Sequence, residues 1–348
     1  MIYSYSNSTL RRFYVLKWCK KGKEDENMKK TLAILLAGIM TVASLTACGS
    51  KEAGTNSQAS GDSYKIGVLQ LVEHAALDAS NQGFVDALDD AGIAYTIDQQ
   101  NAQNDQTACQ TIAEKLVNDG NDLILAIATP AAQAVAGVTT DIPVVGTAIT
   151  DFAASGLVDS NDAPGGNVTG SSDLTPVEAQ ISLLKKVCPD AKTVGILFCS
   201  AESNSDIQVA MAKEACEKSG LKYEEFAVAS SNEIQSVVES AVGKVDALYC
   251  PTDNTIASGM STVSMVANDN KLPVIAGEEG MVTAGGLCTY SIDYYELGYL
   301  AGQMAVRILT EGANPAEMPI EYYPEEKCTF IGNEDTALTL GIDISGLE

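Results

Sequence analysis

From residue 64 onward, short apolar runs of strand length alternate with amphipathic stretches of helical length, and the alternation restarts once midway. That rhythm builds parallel strands joined by crossover helices, with both faces of each sheet covered. The first series predicts strands over 64–71, 95–100, 122–128 and 142–149, with helices over 75–90, 105–118 and 130–138 between them. The Gly/Pro/Asn break "SNDAPGGNVTG" then interrupts the pattern. A second series predicts helices over 176–187, 206–219, 232–242 and 255–269, and strands over 193–199, 222–229, 246–251 and 272–278. Two doubly wound units in one chain predict an α/β protein of two Rossmann-like lobes, with crossing segments near 165–175 and 286–293 and a ligand cleft between the lobes. A long helix over 294–312 returns to the first lobe. The expected division is therefore 64–170 with 294–317 against 171–293 with 318–348, although the last strands, around 318–333, suit either lobe by pattern alone.

Residues 1–63 follow a different logic. In "MKKTLAILLAGIMTVAS" a basic start at Met28, Lys29 and Lys30 precedes an apolar core, 31–43, that is short for a bilayer span. This is the layout of a signal peptide. Its end, Leu45-Thr46-Ala47-Cys48, resembles the bacterial lipobox, which implies that Cys48 receives a lipid and becomes the first residue of the mature chain. The tract 48–63, rich in Gly, Ser, Asn and Gln, then reads as a flexible tether. Residues 1–27 precede the better start at Met28 and read as an over-extended start. The expected location is the extracytoplasmic face of the cell membrane, with 1–47 a leader.

Beyond the leader the chain carries 13 Lys/Arg and 43 Asp/Glu, a net charge of −30. Nucleic acid and anionic membrane surfaces are repelled by such a field. Seven cysteines remain once Cys19 and Cys48 are set aside; none forms CxxC, and several end apolar runs, as in "GILFC" and "ALYC", where a thiol serves as a small buried hydrophobe. His74 is the only histidine, so a histidine-rich zinc site is impossible and a catalytic triad would have to use that one residue. No GxGxxG or GxxxxGK[ST] follows a predicted strand. The expectation is a non-enzymatic protein without metal or cofactor.

In doubly wound sheets ligands bind beyond the carboxyl ends of the strands. The loops there are polar: "LVEHAALD", "ATPAA", "TAITDF", "CSAESNSD", "CPTDNT", "GEEG" and "YSIDYYELG". Thr129, Ser203, Asn204, Thr252, Asp253 and Asn254 occupy N-cap positions, where capping alone accounts for each residue singly. Their convergence on one crevice favours a ligand site.

"GVLQLVEHAALD", "NAQND", "LAIATPAAQA", "PGGNVTG", "SDLTPVEAQ", "AESNS", "YCPTDNT" and "IDYYELG", in that order over about 65–335, resemble the ABC-transporter substrate-binding lipoproteins of the tryptophan/tyrosine-uptake type. The resemblance implies the type I periplasmic-binding-protein fold, an importer permease as partner, and a small ligand, an aromatic amino acid, held as the lobes close; a monomer is expected. Phe152 departs from the family, many of whose members carry proline after the aspartate.

An amino acid presents an ammonium that needs acceptors and a carboxylate that needs donors. Asp253 and Asp293 are the expected ammonium ligands, with Asp151 and Glu202 as further candidates. The single arginine of the mature chain, Arg307, lies inside a predicted helix remote from the loops, so the carboxylate must meet hydroxyls, amides and helix N-termini, with Thr129 and Asn204 the candidates. His74 either contacts the ligand or caps the first helix, and Glu73 beside it is equally ambiguous. Tyr290, Tyr294 and Tyr295 form either an aromatic wall or interlobe core. The pairs Gly165-Gly166 and Gly285-Gly286 sit where hinges are expected. A nucleoside or sugar receptor of the same fold, or a surface sensor coupled to signalling, are the alternatives that the residues leave open.

Overall fold

The computed structural model of the protein describes residues 63–347; the predicted leader, Cys48 and the tether up to 62 lie outside the described residues. The first series runs β1 (Tyr64–Gln70), α1 (Ala75–Asp90), β2 (Tyr95–Asn101), α2 (Gln106–Asn118), β3 (Leu123–Ile127), α3 (Thr129–Ala136), β4 (Val144–Ile149) and β5 (Val168–Ser172). The second runs α4 (Val177–Val187), β6 (Thr193–Cys199), α5 (Ser203–Lys218), β7 (Lys222–Val228), α6 (Ile234–Ala241), β8 (Ala247–Cys250), α7 (Asn254–Ser258), α8 (Met260–Asp269), β9 (Val274–Ala276), α9 (Glu279–Thr283) and β10 (Cys288–Ser291). The chain ends in α10 (Tyr294–Glu311), β11 (Glu321–Tyr322), β12 (Thr329–Gly332) and α11 (Glu334–Leu340).

These strands form two six-stranded sheets, ordered β11-β5-β4-β3-β1-β2 and β12-β10-β9-β8-β6-β7. All pairs are parallel except β10 with β12. Central strands such as "LILAI" of β3 are buried along their whole length, as a sheet covered on both faces requires. One apolar core serves the first sheet, and two serve the faces of the second. The architecture is the expected α/β fold of two lobes. Among the described residues no helix is long and apolar enough to cross a membrane, and no cluster of three or more metal-ligating side chains occurs.

Four expectations are corrected. Residues 168–172 and 288–291 are strands within the sheets, not crossing segments. β5 therefore carries the first lobe to Ser172 rather than to 170. Residues 318–322 belong to the first lobe, because β11 pairs with β5 and because Met318 and Ile320 bury in the first core. The chain crosses between lobes at 173–176, 292–293 and 323–328, so neither glycine pair lies at a crossing. Gly165 sits in a first-lobe turn, its N–H donating to Ala316 O, and Gly285 turns between α9 and β10.

α1 and α10 pack through glycines: a Cβ on Gly83 would fall on the Tyr295 carbonyl, and one on Gly298 would fall on the Ser80 carbonyl. Ser80 Oγ donates to Tyr294 O across this seam at 3.0 Å. Close approach of the two backbones thus fixes where α10 begins. Phe152 is fully buried in the first core.

Candidate ligand-binding site

A narrow cavity, with only about 10 Å³ open to the centre of a water molecule, lies between the lobes, enclosed by the β1–α1 loop, the end of β4, the first crossing, the N-termini of α5, α7 and α10, and Glu278 after β9. A second, more open groove shares His74, Ala257, Glu278 and Tyr294 with it and reaches Asp293 and Tyr295. Hydrogen bonds bridge the lobes around the cavity. Gln208 Nε2 of α5 donates to Thr150 Oγ1 at 3.2 Å, Asn104 Nδ2 donates to Thr255 Oγ1 at 2.8 Å, and His74 Nε2 lies 3.3 Å from Asn254 Oδ1.

Besides Asp253, two carboxyl groups line the cavity. Asp173, in the first crossing, accepts from Tyr294 OH at 3.0 Å and from Thr150 Oγ1 at 3.2 Å. Burial pushes it up to about 6 against the pull of those bonds. Glu278 caps α9, accepting from the Gly280 and Met281 backbone N–H groups. Burial, opposed by those N–H groups and assisted by the neighbouring charges of Glu279 and Asp173, raises it to about 7. Among the described residues no lysine or arginine lines the cavity or the groove that adjoins it. The pair therefore faces the cleft without a protein cation.

The predicted site residues divide. His74, Asn204, Asp253 and Tyr294 line the cavity. The carboxylate of Asp253 is already engaged, accepting from Cys199 N at 2.6 Å, Ser205 Oγ at 2.6 Å and Ile256 N at 2.8 Å. Glu202 is likewise occupied: it accepts from Asn254 Nδ2 at 2.6 Å, Thr255 N at 2.8 Å and Thr255 Oγ1 at 2.7 Å, closing the N-terminus of α7. Burial, followed by the charge of Glu202, pushes Asp253 upward. Asp293, expected to hold the ammonium, is an exposed cap of α10 that accepts from Tyr295 N and Glu296 N and borders only the outer groove. Asp151 accepts from Ala154 N and Asn161 Nδ2 inside a first-lobe turn, Glu73 is exposed, and Thr129 is buried at the start of α3; none of these three lines the cavity.

Tyr290 packs edge-on against Phe330 in the second lobe, and Tyr295 donates to Asp86, so neither forms a cavity wall. Arg307 pairs with Glu321 on the first lobe. The residues that sequence reasoning missed are Asp173, Glu278, Thr150 and Gln208. Asp173 and Glu278 sat inside quoted segments, "SDLTPVEAQ" and "GEEG", and their signal was position: Asp173 directly follows a buried strand and Glu278 comes two residues after one.

Two buried polar atoms of the lining have no partner, His74 Nδ1 and Asn204 Oδ1. An unpaired buried polar atom is costly, so two acceptors of this kind in one lining suit a place completed by something else. Two lobes, three crossings and a polar cavity sealed by interlobe bonds define a receptor that encloses a small molecule. The chain belongs to the family of ABC transporter substrate binding proteins, matching it over residues 65–346. It is a binding protein, not an enzyme.

A tyrosine-binding protein of Clostridioides difficile is 43% identical over 321 residues, covering 90% of this chain and 92% of the relative. Among solved structures, the ABC domain from Streptococcus pneumonia in complex with L-Trp is similar at 43% identity and a TM-score of 0.79, covering 82% of this chain and 97% of that one. The ligand-free, open structure of a substrate binding protein with adhesive properties from Clostridium difficile is similar at 45% identity and a TM-score of 0.63, with the same coverages of 82% and 97%.

Proposed function

We propose that the chain is the lipid-anchored receptor of an ABC importer, tethered through Cys48 on the extracytoplasmic face, which binds an aromatic amino acid, tryptophan or tyrosine, as a monomer and delivers it to the permease. The observation that carries the ligand class is the unpaired acid pair, Asp173 and Glu278, in an enclosed cavity with no protein cation. An ammonium group supplies the missing charge, and a desolvated ammonium–carboxylate hydrogen bond is among the stronger contacts available. The relatives that bind tyrosine and L-Trp support the rest of the ligand. At near-equal identity the chain is closer to the L-Trp complex than to the open, ligand-free structure, which supports a closed arrangement of these lobes.

Asp173 and Glu278 take the place of Asp253 and Asp293 as ammonium ligands, because Asp253 already accepts three protein hydrogen bonds and Asp293 borders only the outer groove. Tyr294 orients Asp173 through its hydroxyl. Thermal unfolding against amino acids, nucleosides and sugars tests the reading. Ligand at about a hundred times its Kd adds roughly 2.7 kcal/mol of stability. A midpoint rise with Trp or Tyr that disappears in Asp173→Asn is expected; a rise only with a nucleoside or sugar would show the ligand class to be wrong.

A further inference from the structure

The tautomer of His74 is readable from its neighbours. Asn254 Nδ2 donates to Glu202 at 2.6 Å, which fixes the amide so that its oxygen faces the imidazole. That oxygen can only accept, so His74 Nε2, 3.3 Å away, carries the proton and donates. Burial holds the ring below its ordinary pKa, favouring the neutral form. In a neutral ring with Nε2 protonated, Nδ1 is a lone pair, an acceptor, and it is buried without a partner. Asn204, 3% exposed, adds a second unpartnered acceptor, Oδ1, to the same lining. With Asp173 and Glu278 taken by the ammonium, the cavity still offers acceptors that call for one more donor on the ligand.

We propose that His74, its tautomer locked by the Glu202–Asn254 relay, reads the ring donor of the bound side chain: the phenol O–H of tyrosine or the indole N–H of tryptophan donates to Nδ1, and an isostere lacking that donor is rejected. The proposal rests on the aromatic amino-acid reading above. A cavity built to bond a ligand O–H or N–H discriminates against the analogue that lacks it, because the buried acceptor is then left unpaired. A purely apolar pocket would discriminate weakly between the same two ligands.

The test is calorimetric titration of the ligand-stripped protein with L-tyrosine, L-phenylalanine, L-tryptophan and 3-benzothienyl-L-alanine, in which sulfur replaces the indole N–H. The wild type is expected to prefer the donor-bearing member of the tyrosine or the tryptophan pair by at least about tenfold. In His74→Ala that preference should fall to within about threefold, with phenylalanine affinity little changed. Equal binding of both members of each pair by the wild type overturns the proposal, and so does an equal loss for both in His74→Ala. If that variant unfolds, the wild-type pairs decide alone, since they require no substitution. Failure of every aromatic amino acid to bind overturns the receptor reading as well, whereas binding without discrimination removes only the role of His74.

Discussion

Asp173 and Glu278 are the residues whose behaviour the structure predicts most directly. Their folded values, about 6 and about 7, lie above the unfolded carboxyl values of about 4. The empty native state therefore binds protons more tightly than the unfolded chain. The stabilisation this gives is complete below the unfolded values and is lost as pH rises through the folded ones. The melting midpoint of the empty protein should accordingly rise between about pH 8 and pH 5, measured by calorimetry, with Asp173→Asn and Glu278→Gln flattening the profile. Ammonium binding needs the ionised pair, so ligand affinity should fall over the same interval, with proton release detectable in buffers of different ionisation enthalpy. Asp253, also raised by burial, adds to the same profile, and its carboxylate has a structural role besides. Removing its carboxylate in Asp253→Ala strands the Cys199, Ser205 and Ile256 donors, and at about 1–3 kcal/mol for a buried unsatisfied group the loss should appear as reduced stability to urea without ligand.

At the scale of elements, the seam between α1 and α10 decides where Tyr294 stands, and through it Asp173. Gly298→Ala forces the two backbones apart and should destabilise the chain by about 1–3 kcal/mol in urea unfolding, with ligand affinity falling as Tyr294 moves. Most elements were legible in the sequence because their burial is written in apolar periodicity. β5 was not, for a physical reason: "VTGSS" is buried by close backbone approach and hydroxyl bonds rather than by large side chains. A Cβ on Gly170 would fall on the Gly146 carbonyl, while Thr169, Ser171 and Ser172 donate to Met318 O, Leu297 O and Thr150 O. The candidate site was legible as a set of loops. Which carboxylates face the cavity, and how far each is already engaged, was not, because partners such as Cys199 for Asp253 are 54 positions away.

For the whole molecule, closure is an equilibrium that ligand shifts only by binding the closed form better. Solution scattering should show a smaller radius of gyration with tryptophan or tyrosine than without. Gly166→Ala should leave that change intact, since the residue lies in a turn before β5, outside every crossing, and an added Cβ meets no neighbour. The acid pair has a consequence for this equilibrium. Asp173 is tied to Thr150 and Tyr294 of the first lobe, while Glu278 caps a helix of the second. On the proposed reading, closing an empty cleft brings two carboxyl groups together out of water, which opposes closure, and a cationic ligand group relieves that opposition. A transporter that engages the closed shape would then be shielded from empty receptors by electrostatics alone, without inspecting the cargo itself.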